Sequence, residues 1–78
     1  MNNTGFYLRK KSFDSIEKEL VGHFGLVLCF KNNEERLYKN ENILVTCKKK
    51  YISVLEFNER NHGDNVDIIK YLSVVKNG

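Results

Sequence analysis

Between Phe24 and Phe57, apolar runs alternate with short polar clusters. The runs are Phe24–Phe30, Ile43–Cys47 and Tyr51–Phe57, separated by segments rich in Asn, Glu and Lys. Runs of this length bounded by turn-forming residues read as strands of a small antiparallel sheet. Placing Asn32 and Asn33 at the two central positions of a hairpin uses their tolerance of positive φ. That register sets Lys31 opposite Glu34, Phe30 opposite Glu35, Cys29 opposite Arg36 and Leu28 opposite Leu37, and makes Glu34–Lys39 a polar edge strand. Asn40–Asn42 and Lys48–Lys50 supply the next two turns, completing the Phe24–Phe57 meander. Along its first strand, Phe24, Leu26, Leu28 and Phe30 share one face, while Gly25, Val27 and Cys29 share the other. Two apolar faces predict a central strand covered on both sides, by the C-terminal segment or by another chain.

Outside the meander the period changes. Met1–Gly5 is polar and predicts a frayed, flexible end. Phe6–Lys11 reads as a short edge strand whose basic end, Arg9-Lys10-Lys11, discourages edge pairing. Ser12 is a good N-cap, and Phe13, Ile16 and Leu20 fall on one helical face. Asp14 and Lys18 have i,i+4 spacing, and Gly22 is the residue suited to a left-handed C′ position. These features predict a helix over Phe13–Val21. Asn58–Asn65 reads as a loop. Val66–Lys76 carries Ile68, Ile69, Leu72 and Val75 in helical spacing with Asn65 as N-cap, although Val66, Ile68, Leu72 and Val74 also fit a period of two. Helix is the expectation. The order is then β-α-β-β-β-β-α, an α+β fold on a small, mostly antiparallel sheet of four to five strands.

Length adds one constraint. The chain has 78 residues, read as a single domain (1–78). A domain of this size buries only about 60–65% of its unfolded surface, so an interface with a larger protein or in a homodimer would supplement its core. The net charge of +3 comes from 13 basic and 10 acidic side chains spread along the chain, a weaker imbalance than dedicated nucleic-acid binders carry. Alanine and proline are absent while asparagine and lysine abound, the composition of an AT-rich coding sequence such as a phage, mobile element or low-GC bacterium carries. The first apolar patch, Phe6-Tyr7-Leu8, runs straight into basic residues, unlike a secretory signal. With no run long enough to span a bilayer, the expectation is a cytoplasmic, membrane-free protein with reduced thiols.

Candidate chemistry is sparse. His23, Cys29, Cys47 and His62 lack the local spacing that wraps zinc, and both cysteines fall in apolar strands where a thiol packs as a small hydrophobe. His62 and Asp64 have the residue types of a general base and a metal ligand, but no supporting carboxylates or phosphate loop; the plain reading is a polar loop whose Asp64 or Asn65 caps the following helix. Lys48-Lys49-Lys50-Tyr51 is the densest positive patch and Arg9–Lys11 the second. Ammonium groups beside an aromatic ring suit phosphates and a stacked base, though a lysine turn also serves solubility. Glu34, Glu35, Glu41, Glu56, Glu59 and Asp64 form a looser acidic set, most of it expected to face water. No catalytic residue, metal or cofactor is expected. The expected function is stoichiometric binding by a small accessory protein to a larger protein, for example inhibition of a host defence nuclease. The partner-binding candidates are Lys48, Lys49, Lys50, Tyr51, Glu34 and Glu35. The alternative is nucleic-acid binding through Lys48–Tyr51 and Arg9–Lys11.

Overall fold

A computed structural model describes residues 2–9, 11–57 and 62–77; the side chains of 2–4, 6, 62–64 and 74–77 lie outside that description. The element order is the expected β-α-β-β-β-β-α. Strands β1 (Asn2–Leu8), β2 (Val27–Lys31), β3 (Glu35–Lys39), β4 (Ile43–Lys48) and β5 (Tyr51–Glu56) form one antiparallel sheet in the order β1-β5-β4-β3-β2. Helix α1 starts at Phe13 and passes at Lys18 into a wider π-wound stretch that ends at His23, and α2 spans His62–Asn77. Among the described residues no helix is long and apolar enough to cross a membrane.

Alternation decides which face is inside. Ile43, Val45 and Cys47 of β4 and Ile52, Val54 and Glu56 of β5 are buried, whereas the residues between them are half-exposed. Register pairs Val45 with Val54 and Cys47 with Ile52 on the inner face, and Leu44 with Leu55 and Thr46 with Ser53 on the outer. The inner face packs with Ile16 and Leu20 of the first helix and Ile68 and Leu72 of the second in one cluster. Both helices therefore cover the same face of the sheet. The other face has no helix over it among the described residues.

The helix ends differ from the sequence expectation. Ser12 does cap α1, its hydroxyl accepting from the Ser15 amide at 3.2 Å. The helix continues past Val21, however, and Gly25, at φ 75, takes the left-handed position assigned to Gly22. The π winding explains the shift: Phe24 N donates to Glu19 O at 3.0 Å and Leu26 N to Leu20 O at 2.9 Å, each spanning one residue more than the usual capping bonds. Asp14 turns away from Lys18 to the Arg36 guanidinium, at 3.0 Å. Helix α2 starts a turn before Val66, so Asn65 is no N-cap; it is buried and donates through Nδ2 to Glu56 Oε1 at 3.2 Å. Glu56, expected to face water, is likewise buried. Of the loop expected at Asn58–Asn65, positions 58–61 fall outside the described residues.

The first meander strand is also corrected. β2 lies at the sheet edge with all five residues exposed, and β3, expected at an edge, lies between β2 and β4. The continuous apolar run here reflects an uncovered strand and not a doubly covered one. Phe24 caps the helix and Leu26 packs below it, so neither shares a strand face with Leu28 and Phe30. Gly25 likewise lies before the strand, so the second apolar face read over Gly25, Val27 and Cys29 does not form. Lys31 stands opposite Arg36, not Glu34, because four residues, Asn32–Glu35, separate the pair, and the Asn32 amide donates to Glu35 O at 2.9 Å. Asn32 Oδ1 accepts from the amides of Glu34 and Glu35, both at 2.8 Å, so the side chain closes the turn without positive φ. Asn40 repeats the device at the next turn with Asn42 and Ile43. A bulge between Leu28 and Phe30 then changes the parity of β2: Leu28 pairs with inward Tyr38, Phe30 with outward Leu37. Finally, Asn2, Asn3 and Gly5, expected to fray, pair with Glu56, Leu55 and Val54 as the edge strand β1.

Candidate binding surface

The lysine turn is built by Arg9. β4 and β5 are joined by Lys49 and Lys50 alone, yet neither residue has the positive φ that a tight primed turn uses. Carbonyls left pointing outward are taken by Arg9, which follows β1. Its Nε donates to Lys48 O at 2.9 Å and Lys49 O at 2.8 Å, its Nη1 to Lys11 O at 2.8 Å, and its amide to Lys50 O at 2.8 Å. The guanidinium also lies 4.1 Å from the Phe13 ring centroid, with Arg36 on the same ring at 5.1 Å. The two basic segments read separately in the sequence are thus neighbours. Arg9, offered as a phosphate contact, is committed to the turn.

All six partner-binding candidates line one hollow. Glu34 and Glu35 approach from the β2–β3 turn, and Lys48, Lys49, Lys50 and Tyr51 from the β4–β5 turn, around about 400 Å³. Glu35 and Lys48 are cross-strand partners on the outer face, and Lys48 Nζ lies 5.6 Å from the Tyr51 ring centroid. A second, shallower hollow of about 690 Å³ continues across the sheet. It shares Glu35, Lys48 and Tyr51 and adds Phe30, Leu37, Thr46 and Ser53. Together they form one surface, basic at the lysine turn and apolar toward β2.

No family model, curated protein or solved structure matches this chain. The surface must therefore be read from its own chemistry. Phe30 was missed as a surface residue because the bulge at Cys29 reverses its face. Leu37, Thr46 and Ser53 carry a signal that was available: they alternate with the buried residues of β3, β4 and β5. Beside them, β2 offers an open strand edge with Val27 63% and Phe30 47% exposed.

The inner face holds the strongest electrostatic perturbations. Burial would by itself lower the Arg36 pKa, but hydrogen bonds involving Asp14 and Tyr38 and the charge of Glu17 outweigh it and raise it. Tyr38 is fully buried and donates its hydroxyl to Glu17 Oε1 at 2.8 Å. Burial, then that hydrogen bond, raises its pKa above the usual phenol value. Burial pushes the Cys47 thiol from 9.0 up to about 12, against the lowering influence of Arg9 and Arg36. A thiol held protonated in the core is no nucleophile. Cys29, by contrast with the apolar packing expected of it, is exposed on the edge strand. His23 is exposed and packs edge-on to Phe24, while the His62 and Asp64 side chains lie outside the described residues.

Proposed function

We propose that this protein acts by stoichiometric binding of a larger protein through the outer sheet face and the β2 edge. The observation that carries the reading is the one-sided placement of both helices, which leaves Phe30, Leu37 and their neighbours as an apolar sheet face toward solvent. Contiguous exposed apolar surface on a small domain marks an interaction site. Size constrains how the partner docks. Strands of about six residues at 3.3 Å each, spaced about 4.8 Å apart, give a projected face of roughly 400 Å². A standard interface takes about 800 Å² from each side. A partner must therefore reach beyond the flat face, over the β2 edge or the lysine turn. An intracellular defence nuclease is one partner of suitable size, in keeping with the AT-rich composition.

The test is affinity capture with wild-type protein and with Phe30→Lys, followed by sedimentation of the purified pair. A single partner recovered at a fixed stoichiometry by wild type and lost with Phe30→Lys supports docking on this face. Equal capture by both proteins, or none, removes the face from the function.

A second reading, nucleic-acid binding, is favoured by one observation: Arg9 brings Lys11 beside Lys48–Lys50. Electrophoretic shift over a salt series tests it. Affinity should fall steeply with salt and vanish in Lys48→Glu with Lys49→Glu; binding indifferent to both rules it out.

A further inference from the structure

The hollow between the β2–β3 and β4–β5 turns brings three kinds of group together: ammonium, carboxylate and an aromatic ring. Lys48, Lys49 and Lys50 line it from the β4–β5 turn, Glu34 and Glu35 from the facing turn and β3, and Tyr51 forms part of the wall. Mixed charge disfavours a simple anion: a phosphate alone is drawn to the lysines and repelled by the carboxylates. A ligand with an anionic end and a planar end rich in N–H donors satisfies both sides at once. The carboxylates then orient it, turning the anionic end toward the lysines. We propose that this hollow binds a guanine nucleotide, its phosphate on Lys49 and Lys50, its base against Tyr51, and its N1–H and N2–H donating to Glu34 or Glu35.

Each part of the assignment rests on chemistry. Guanine presents two adjacent N–H donors on one edge, which a single carboxylate accepts as a parallel pair. Adenine offers a ring-nitrogen acceptor beside its amino group, and cytosine does the same, so each sets a lone pair against the carboxylate. An aromatic ring in the wall gives the base a stacking surface. The volume of about 400 Å³ lies within the range of small-ligand pockets, about 300–1,000 Å³. Lysine suits the phosphate end, where a mobile point charge is needed and no fixed bidentate geometry is. The hollow takes a free nucleotide or a guanosine within a single strand equally by this chemistry. The inference goes beyond the protein-docking reading and does not require it, since the hollow lies at the lysine end and Phe30 at the other.

The test is titration of isotopically labelled protein, followed by amide chemical shifts, with GMP, AMP, CMP, inorganic phosphate and a short guanine-containing single strand. GMP should shift the amides of Glu34, Glu35, Lys49, Lys50 and Tyr51 and bind about tenfold more tightly than AMP or CMP, the discrimination one bidentate pair supplies. Glu34→Gln with Glu35→Gln should bring GMP down to the AMP level, and Tyr51→Leu should weaken every nucleotide about tenfold while leaving phosphate unchanged. Lys49→Glu with Lys50→Glu should abolish all binding. Glu34, Lys49 and Lys50 are exposed, and unchanged dispersion of the remaining amides confirms folding of each variant. GMP, AMP and phosphate binding alike would reduce the site to an adventitious anion patch and overturn the proposal, as would no saturation by GMP at millimolar concentration. A strand that binds while GMP does not overturns it too, and leaves the salt-dependent nucleic-acid reading standing. GMP binding without the strand supports it and identifies the free nucleotide as the source.

Discussion

Replacing Arg9 by alanine separates a structural clamp from a surface charge. The side chain makes one shared donor bond to Lys48 O and Lys49 O, one bond to Lys11 O, and a ring contact with Phe13 at 4.1 Å. A charged donor contributes about 1.5–2 kcal/mol for the long-range bond at a partly exposed site, and about 1 for the local one. The ring contact adds about 0.5–1 kcal/mol, and ordering an arginine costs about 1.5–2. The balance is about 2 kcal/mol of stability lost in Arg9→Ala. Arg9→Lys keeps the charge but not the planar fork, so it should lose about 1.5 kcal/mol. At a urea slope of about 1 kcal/mol/M for so small a domain, the midpoint falls by about 2 M and about 1.5 M respectively. Amide exchange at Lys50 and Tyr51 should accelerate in both variants. If both unfold within about 0.3 M of wild type with unchanged exchange, Arg9 does not hold the turn, and its positive charge becomes available to a ligand after all.

Three further outcomes follow from the same structure. Gly25→Ala meets no steric contact but forces φ 75 on an alanine, so it should destabilise by about 1–2 kcal/mol; Gly22→Ala, in open space within the helix, should gain about 0.5–1. Thermal melts that rank the two the other way would put the left-handed residue back at Gly22. The buried Cys47 thiol holds its proton to about 12 and Tyr38 above its ordinary 10.0. The unfolded chain releases these protons first, so stability is full below pH 9 and falls as pH rises toward 12, by about 1.4 kcal/mol per unit for each group titrating. Urea midpoints at pH 8, 9.5 and 11 check this, and Cys47→Val should flatten the slope; a level profile in wild type refutes it. Cys29, exposed, should react with a thiol reagent at once, and Cys47, buried, only as fast as the fold opens; simultaneous reaction of both contradicts the packing around Cys47.

The parts of the fold legible in sequence were those with one strong local signal. β4 and β5 alternate cleanly, Ser12 caps a periodic apolar face, and Ile68 and Leu72 mark α2 despite its β-branched residues. The parts that were not legible depend on single residues that shift parity or reach. One extra residue at Cys29 moves Phe30 from the inner to the outer face, and alternation before and after a bulge looks the same as without it. Asn32 and Asn40 act through side-chain oxygens, so their turns need no left-handed backbone. The candidate surface was half legible: its six charged and aromatic residues stand out as local clusters along the chain. Their convergence on one hollow was not, because it comes from pairing β3 with β4 and from Arg9 reaching a turn 40 residues away.

The distribution of polarity between the two faces is the strongest argument that the outer one is used. Inside, the fold sets a largely covered Arg36 against exposed Asp14 and partly exposed Glu17, and buries Tyr38 against Glu17 and Glu56 against Asn65. Outside, it leaves Phe30 nearly half exposed on an edge strand with Val27. Stability and solubility alone favour the reverse, since buried polar contacts contribute little net and exposed apolar edges invite aggregation. Phe30→Lys therefore tests whether that face is structural or functional. Phe30 is an edge residue 47% exposed, so the substitution should change stability by no more than about 0.5 kcal/mol, about 2–4 °C in melting temperature for this size. Solubility should rise, and partner capture should be lost. A fall of 10 °C or more would show instead that Phe30 belongs to the packing that holds β2 on the sheet, and the face would lose its standing as a docking surface.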